Sequence, residues 1–189
     1  MSRPVVSLKG TKNSVESLLG DDHESLAELL TELDSAFKKA DAARAFELLD
    51  LFWARLAVHI RAENLHLFPA IAGAAKSVFT GKGSLPTSEE AHNILLELRS
   101  DHDFFMKELA QMVKVARELA GREEGSRKEL KELRRRLTDI RKRLKTHNVL
   151  EEAMVYTWPP LILDEKSVGA LDEGLRRELE NLPPRFAVH

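Results

Sequence analysis

The chain of 189 residues contains no cysteine. That absence removes disulfides, thiolate metal sites and cysteine nucleophiles, so any metal must be held by histidine and carboxylate. Long apolar runs are missing as well. The longest uncharged stretch, Asn64 to Ala75, is too short to span a bilayer, and Met1 to Gly10 lacks the apolar core of a signal peptide. These two features predict a cytoplasmic protein with no membrane partner. An excess of charge of one sign is also absent. The formal net charge of -2 gives no general preference for nucleic acid or acidic membranes. Neither an internal repeat nor a low-complexity segment occurs.

What is present suits one helical domain. Apolar residues make up 43% and charged residues 32%, a balance that fits amphipathic helices with salt-laced outer faces. Apolar residues recur at steps of three and four in four segments, the pattern of an all-α, up-down-up-down four-helix bundle. The expected organisation is an N-terminal extension over 1–20, the bundle over 21–160 and a tail over 161–189.

The first helix is expected to begin at Asp21, with Glu24 completing an approximate capping box, and its seam runs Leu19, His23, Leu26, Leu30, Leu33, Phe37. A polar break at Asp41, without glycine or proline, precedes a second helix carrying Leu49, Phe52, Leu56, His59, Glu63 and His66. Pro69 should kink that helix near Leu65, because its ring clashes with the carbonyl four residues back. The third helix starts near Ser88 and the fourth near Ser126, the latter ending at Pro159-Pro160. In the tail, Leu171, Leu175, Leu179 and Leu182 predict a short amphipathic helix docked on the bundle and ended by Pro183-Pro184.

Histidine and glutamate stand out within these seams. His59 with Glu63 and His147 with Glu151 repeat His-x-x-x-Glu on two helices, while His23 and His102 sit on the other two. Residues four apart lie on one helix face, about 6 Å apart along the axis, so each helix can present a nitrogen and a carboxylate together. Ligands from consecutive antiparallel helices meet only if the connecting turn falls midway between them. The midpoint of His23 and His59 is Asp41, that of His59 and His102 falls in Thr80-Gly81-Lys82-Gly83-Ser84, and that of His102 and His147 in Glu124-Gly125. All three midpoints are turns, so the four histidines share a level.

Two buried carboxylates at that level, with no lysine or arginine nearby in the seams, require a cation. A pair of metals supplies it, and carboxylates bridge metals roughly 3.5–4 Å apart. The expected ligands are therefore His23, His59, Glu63, His102, His147 and Glu151. If both metals are about six-coordinate, four imidazoles, two bridging carboxylates and an oxo or hydroxo bridge leave room for a small exogenous ligand. Nitrogen and oxygen donors suit iron or manganese, and spacing alone leaves zinc open.

The other prominent residues have blander readings. His66 lies about 10 Å beyond His59 along the axis and His92 roughly 15 Å below His102, so both are expected to be structural. His189, the last residue, is expected to be solvated. Tyr156 and Trp158 read as packing at the end of the core. The basic run from Arg127 to Lys145, with Glu129, Glu132 and Asp139 interspersed, reads as a solvated face rather than a nucleic-acid surface.

Taken in order, Asp22-His23, His59-Ile-Arg-Ala-Glu63 followed by Leu67-Phe68-Pro69, Asp101-His102-Asp103 and His147-Asn-Val-Leu-Glu151-Glu152 resemble the hemerythrin-like proteins with the HHE cation-binding domain. The resemblance covers about positions 20 to 160. It implies a non-haem di-iron centre, two iron ions with an oxo or hydroxo bridge, in which the four histidines are terminal ligands and Glu63 and Glu151 are bridges. One departure is Met106, where oxygen-carrying members have a further histidine. That places the chain closer to the four-histidine branch, which includes proteins that repair damaged iron centres, although the cysteine-bearing N-terminal segment usual in those is not seen before His23.

The function expected from these residues and this resemblance is a di-iron protein that binds or responds to dioxygen, nitric oxide or peroxide. The alternatives are a di-iron oxidoreductase consuming peroxide or nitric oxide, an iron-centre repair protein, and a metal-free interaction bundle. The two buried glutamates argue against the last.

Overall fold

The computed structural model describes residues 14–122 and 127–186. Four long helices, α1 (Ser14–Lys39), α2 (Ala42–Ala62), α4 (Ser88–Ala120) and α5 (Arg127–Ala153), form the bundle, and α3 (Phe68–Gly73) extends α2. Each neighbouring pair around the ring α1, α2, α4, α5 is in contact. The described residues contain no strand, only an isolated bridge between Thr80 and Thr87. No helix among them is long and apolar enough to cross a membrane.

Helix α1 is already formed at Ser14, the first described residue, ahead of the start that the capping pattern at Asp21 predicts. Val15 and Leu19 are fully buried and continue the seam of His23 and Leu26 backwards, so packing carries the helix through Asp21. The first turn is the glycine-free break. Ala40 itself adopts a left-handed conformation with φ 55, and Asp41 then accepts a hydrogen bond from the Arg44 amide as the cap of α2. At the second turn Gly81 has φ +66, and a Cβ there would stand 2.9 Å from Thr87 Cγ2, so the glycine is required. Thr87 and Glu90 close a reciprocal capping box at the start of α4. The expected turn at Glu124-Gly125 and the fourth-helix start at Ser126 lie outside the described residues, as does His189.

Pro69 acts differently from a simple kink. It offers no amide hydrogen to the Leu65 carbonyl, and the chain widens into a π-helical turn over Glu63–Leu67 in which the Phe68 N–H donates to the Glu63 carbonyl. The prolines at 159 and 160 also reverse their expected role. The bundle helix α5 stops at Ala153, a 3-10 turn covers Val155–Thr157, and the prolines open the short helix α6 (Pro159–Ile162). Met154, with φ -130 and ψ -72, is where the helical path breaks.

The tail forms α7 (Glu165–Leu179), capped by Asp164, and docks on α1 and α2. Leu171 and Leu175 are buried, Leu182 lies beyond the helix, and α7 ends at Leu179, capped by Glu180, before Pro183-Pro184 is reached. Arg61 of α2 pairs with Glu178, and Ser14 of α1 donates to Asp172.

The core falls into two hydrophobic clusters. One holds Leu26, Leu33, Phe52, Leu56, Phe105 and Leu144; the other holds Leu19, Ala62, Phe68, Leu98, Tyr156 and Trp158. On every long helix the predicted ligands fall between the two, as His23 does between Leu19 and Leu26 and His102 between Leu98 and Phe105. Among the described residues, every buried charged or histidine side chain except Asp50 lies in this one layer.

Candidate metal centre

All six residues expected from the sequence are buried in that layer, with Glu63 and Glu151 fully so. They divide into two halves. The His23 and His59 rings are 4.7 Å apart with their Nε2 atoms 3.1 Å apart, and the His102 and His147 rings are 4.9 Å apart. Each glutamate splits its oxygens between the halves. Glu63 places Oε1 3.6 Å from His59 and Oε2 3.2 Å from His102. Glu151 places Oε2 3.5 Å from His23 and Oε1 3.0 Å from His147. Two groups of ligand atoms close enough to hold an ion result, His23–His59–Glu151 and His102–His147–Glu151.

Each imidazole is turned inward by a partner on a neighbouring element. Asp22 on α1 accepts from His59 Nδ1 at 2.9 Å, and Asn64 in the π turn lies 3.3 Å from His102 Nδ1. Asp101 on α4 lies 3.1 Å from His147 Nδ1, and Glu152 on α5 lies 2.7 Å from His23 Nδ1. The orienting residues follow the ligands round the bundle in a closed ring. Each is the chain neighbour of a ligand: Asp22 of His23, Asn64 of Glu63, Asp101 of His102 and Glu152 of Glu151. On a helix the next residue is rotated by about 100°, which carries it from the central seam toward the adjacent helix. Arg55 and Arg143, each 2.6 Å from its partner, hold Asp22 and Asp101 in turn. The outer carboxylates of Asp22, Asp101 and Glu152 accept from Nδ1–H, fix the ring orientation of His59, His147 and His23 and leave Nε2 free to coordinate. Asn64 does the same for His102 when its amide oxygen faces Nδ1.

The electrostatics describe a site built for positive charge. Burial alone would lower the His59 pKa, but the charge of Glu63 and the hydrogen bond to Asp22 overcome it and raise it from 6.5 to about 10. His102 behaves alike: burial lowers it, and the neighbouring Glu151 and Glu63 carboxylates take it to about 9. Burial works to raise Glu63 and Glu151, yet the surrounding imidazoles hold both below their ordinary values, Glu151 well below. Without metal the carboxylates stay ionised because histidines take up protons, so protons and metal compete for one set of atoms.

Tyr156 does more than the sequence predicts. It was expected to pack at the end of the core, and it does so, but its hydroxyl also enters the centre. The oxygen donates to Glu63 Oε1 at 2.7 Å and lies 3.3 Å from Glu151 Oε2, 3.2 Å from His23 Nε2 and 3.4 Å from His59 Nε2. Burial, together with the charges of Glu151 and Glu63, pushes its pKa well above 10.0, so without metal the phenol is a neutral donor.

Three buried atoms of the centre, Glu63 Oε2, His102 Nε2 and Glu151 Oε1, stand at ion-pair distance from neighbours but make no aligned hydrogen bond. Native interiors seldom leave such atoms orphaned. An ion between them would satisfy all three, and this donor set fits a metal.

The remaining histidines fall outside. His92 is exposed, and His66, half-buried, packs against Gly174 of α7. On the basic face of α5, Arg134, Arg135 and Arg136 pair with Asp34, Glu132 and Glu108.

Residues 15–159 match the family model for the hemerythrin HHE cation binding domain, and the chain belongs to that family. Comparisons with curated proteins and with solved structures returned no match. Membership makes this a cation-binding domain, and the His/Glu layer is where a cation fits.

Proposed function

We propose that the chain is a non-haem di-iron protein that binds or responds to dioxygen, nitric oxide or peroxide, with His23, His59, His102 and His147 as terminal ligands and Glu63 and Glu151 as bridges. The observation that carries this reading is the split of both carboxylates. One oxygen of each glutamate serves one imidazole pair and the second oxygen serves the other. A single-ion site has no use for that arrangement, whereas two neighbouring cations are bridged by it.

Nitrogen and carboxylate oxygen without thiolate suit iron better than softer metals, and the family is a cation-binding one. Iron bound here supplies redox and ligand-binding chemistry. The protein's own contribution is to orient four imidazoles, hold two carboxylates ionised and exclude water with Phe68 stacked on His102 and Phe105 edge-on to His147. Elemental analysis of protein loaded with ferrous iron in air tests the reading. Two irons per chain and near-ultraviolet bands of a bridged ferric pair are expected. A folded chain that takes up no iron contradicts it. Sustained oxygen evolution on adding peroxide would move the reading from a binding protein to an oxidoreductase.

A further inference from the structure

The two halves of the layer are unequal. The Tyr156 oxygen lies within 3.4 Å of four donor atoms, His23 Nε2, His59 Nε2, Glu63 Oε1 and Glu151 Oε2, all of them in one half. The orphaned atoms, Glu63 Oε2, His102 Nε2 and Glu151 Oε1, all belong to the other half. We propose that Tyr156 is a seventh protein ligand, bound in the His23–His59 half alone, so that the exogenous ligand binds in the His102–His147 half.

This inference rests on the di-iron reading and adds to it which half is closed and which is open. Its geometric basis is the spacing of the donors. In an octahedron with bonds of about 2.1 Å, neighbouring ligand atoms lie about 3 Å apart. The Tyr156 oxygen stands 2.7 to 3.4 Å from the four other donors of its half, and two of those, His23 Nε2 and His59 Nε2, are 3.1 Å from each other. The recorded contacts among these five atoms run from 2.7 to 3.6 Å, close to the edge of such an octahedron, and the bridging oxygen would supply the sixth vertex. In the other half two imidazoles and two carboxylate oxygens plus the bridge leave one vertex open. Met106, one helical turn after His102, packs against the apolar cluster and carries a thioether, a poor match for a site of nitrogen and oxygen donors.

Coordination breaks the phenol O–H bond as the oxygen–metal bond forms. The proton is released to solvent along with those the imidazoles lose on binding metal; Tyr156 also borders a cleft of about 410 Å³ between α1 and α5, lined by Glu16, Glu24 and Glu152. Bound cations commonly bring an acidic ligand to its deprotonated form even where burial opposes it.

Tyr156 is the only tyrosine in the chain, so a phenolate signal from the iron-loaded protein has one source. The experiment is resonance Raman and visible absorption on the wild-type full chain after its iron content has been measured. Tyrosinate ring modes and a visible charge-transfer band are expected, and Tyr156→Phe should lose both. Azide, added as the probe, should perturb one of two distinct iron environments in Mössbauer spectra and leave the tyrosinate modes in place. Full iron loading without tyrosinate modes overturns the proposal, and this holds whether or not Tyr156→Phe folds. Displacement of those modes by azide overturns the assignment of the open half. Failure to bind iron at all is a separate result and overturns the di-iron reading first.

Discussion

Tyr156 donates its phenol hydrogen to Glu63 across 2.7 Å, in a layer where both side chains are fully buried. The two residues are 93 positions apart in sequence, one in the π turn after α2 and the other in the 3-10 turn after α5. Both turns depart from regular helix, and both departures lie next to proline. The irregular backbone is therefore part of how the centre is assembled.

That contact sets the first prediction. In the metal-free protein, Tyr156→Phe leaves a charged, buried Glu63 oxygen without its donor. The expected cost is about 1–3 kcal/mol of folding stability. Urea unfolding of metal-free wild type and variant measures it; equal midpoints would show that His59 satisfies Glu63 unaided.

The ring of orienting residues predicts losses of affinity without loss of fold. Asp22→Ala and Asp101→Ala each free one imidazole to rotate, and removal of such a partner typically weakens metal binding by about 10- to 100-fold. Competition with a chelator gives the number. His92→Ala, at an exposed position on α4, is expected to bind as wild type does.

The pH dependence of the metal-free protein has a definite sign. His59 and His102 rise from 6.5 to about 10 and about 9, so their contribution to stability is complete below pH 6.5 and is lost as pH climbs through those two values. Glu63 and Glu151 lie below 4.5, so theirs is present above pH 4.5 and is lost as pH falls through their lowered values. Metal-free protein should therefore be most stable between pH 4.5 and 6.5. Iron uptake should release protons and strengthen as pH rises toward about 9, because imidazolium must deprotonate to bind. Thermal melts of the metal-free chain across this range check the sign, and a metal-free protein that becomes more stable from pH 7 to about 9.5 would contradict it.

Docking of the last helix is tested at Gly174. A Cβ there would meet His66 Nδ1 at 2.7 Å, so Gly174→Ala should strain the contact of α7 with the π turn and cost about 1–3 kcal/mol. His66→Ala should relieve the strain in the double variant, as a double-mutant cycle would show.

Much of this structure was legible because packing and ligation obey the same periodicity. The seams of His23, His59, His102 and His147 fixed four helices, and the two turns that lie within described residues stand at the histidine midpoints. The misreadings have physical causes. At Asp21 a local capping pattern competed with the buried stripe of Val15 and Leu19, and the stripe prevailed. Ala40 took a left-handed conformation that ordinarily signals glycine, so its turn carried only a weak sequence signature. Tyr156 was hidden because five residues past Glu151 on an unbroken helix would point about 140° away from the seam. Only the break at Met154 swings it inward, and the prolines at 159 and 160 were read as the end of the helix rather than the start of the next. The ring of Asp22, Asn64, Asp101 and Glu152 was present in the motifs themselves, as the immediate neighbour of a ligand on each helix.

The most direct measurement of the central claim is metal stoichiometry in wild type against Glu151→Ala, by elemental analysis after loading with iron and removal of loosely bound metal. Glu151 supplies an oxygen to each of the two groups of ligand atoms. Two irons per chain in wild type and none retained in Glu151→Ala is the predicted result. Two irons retained by the variant would contradict a centre bridged by Glu151.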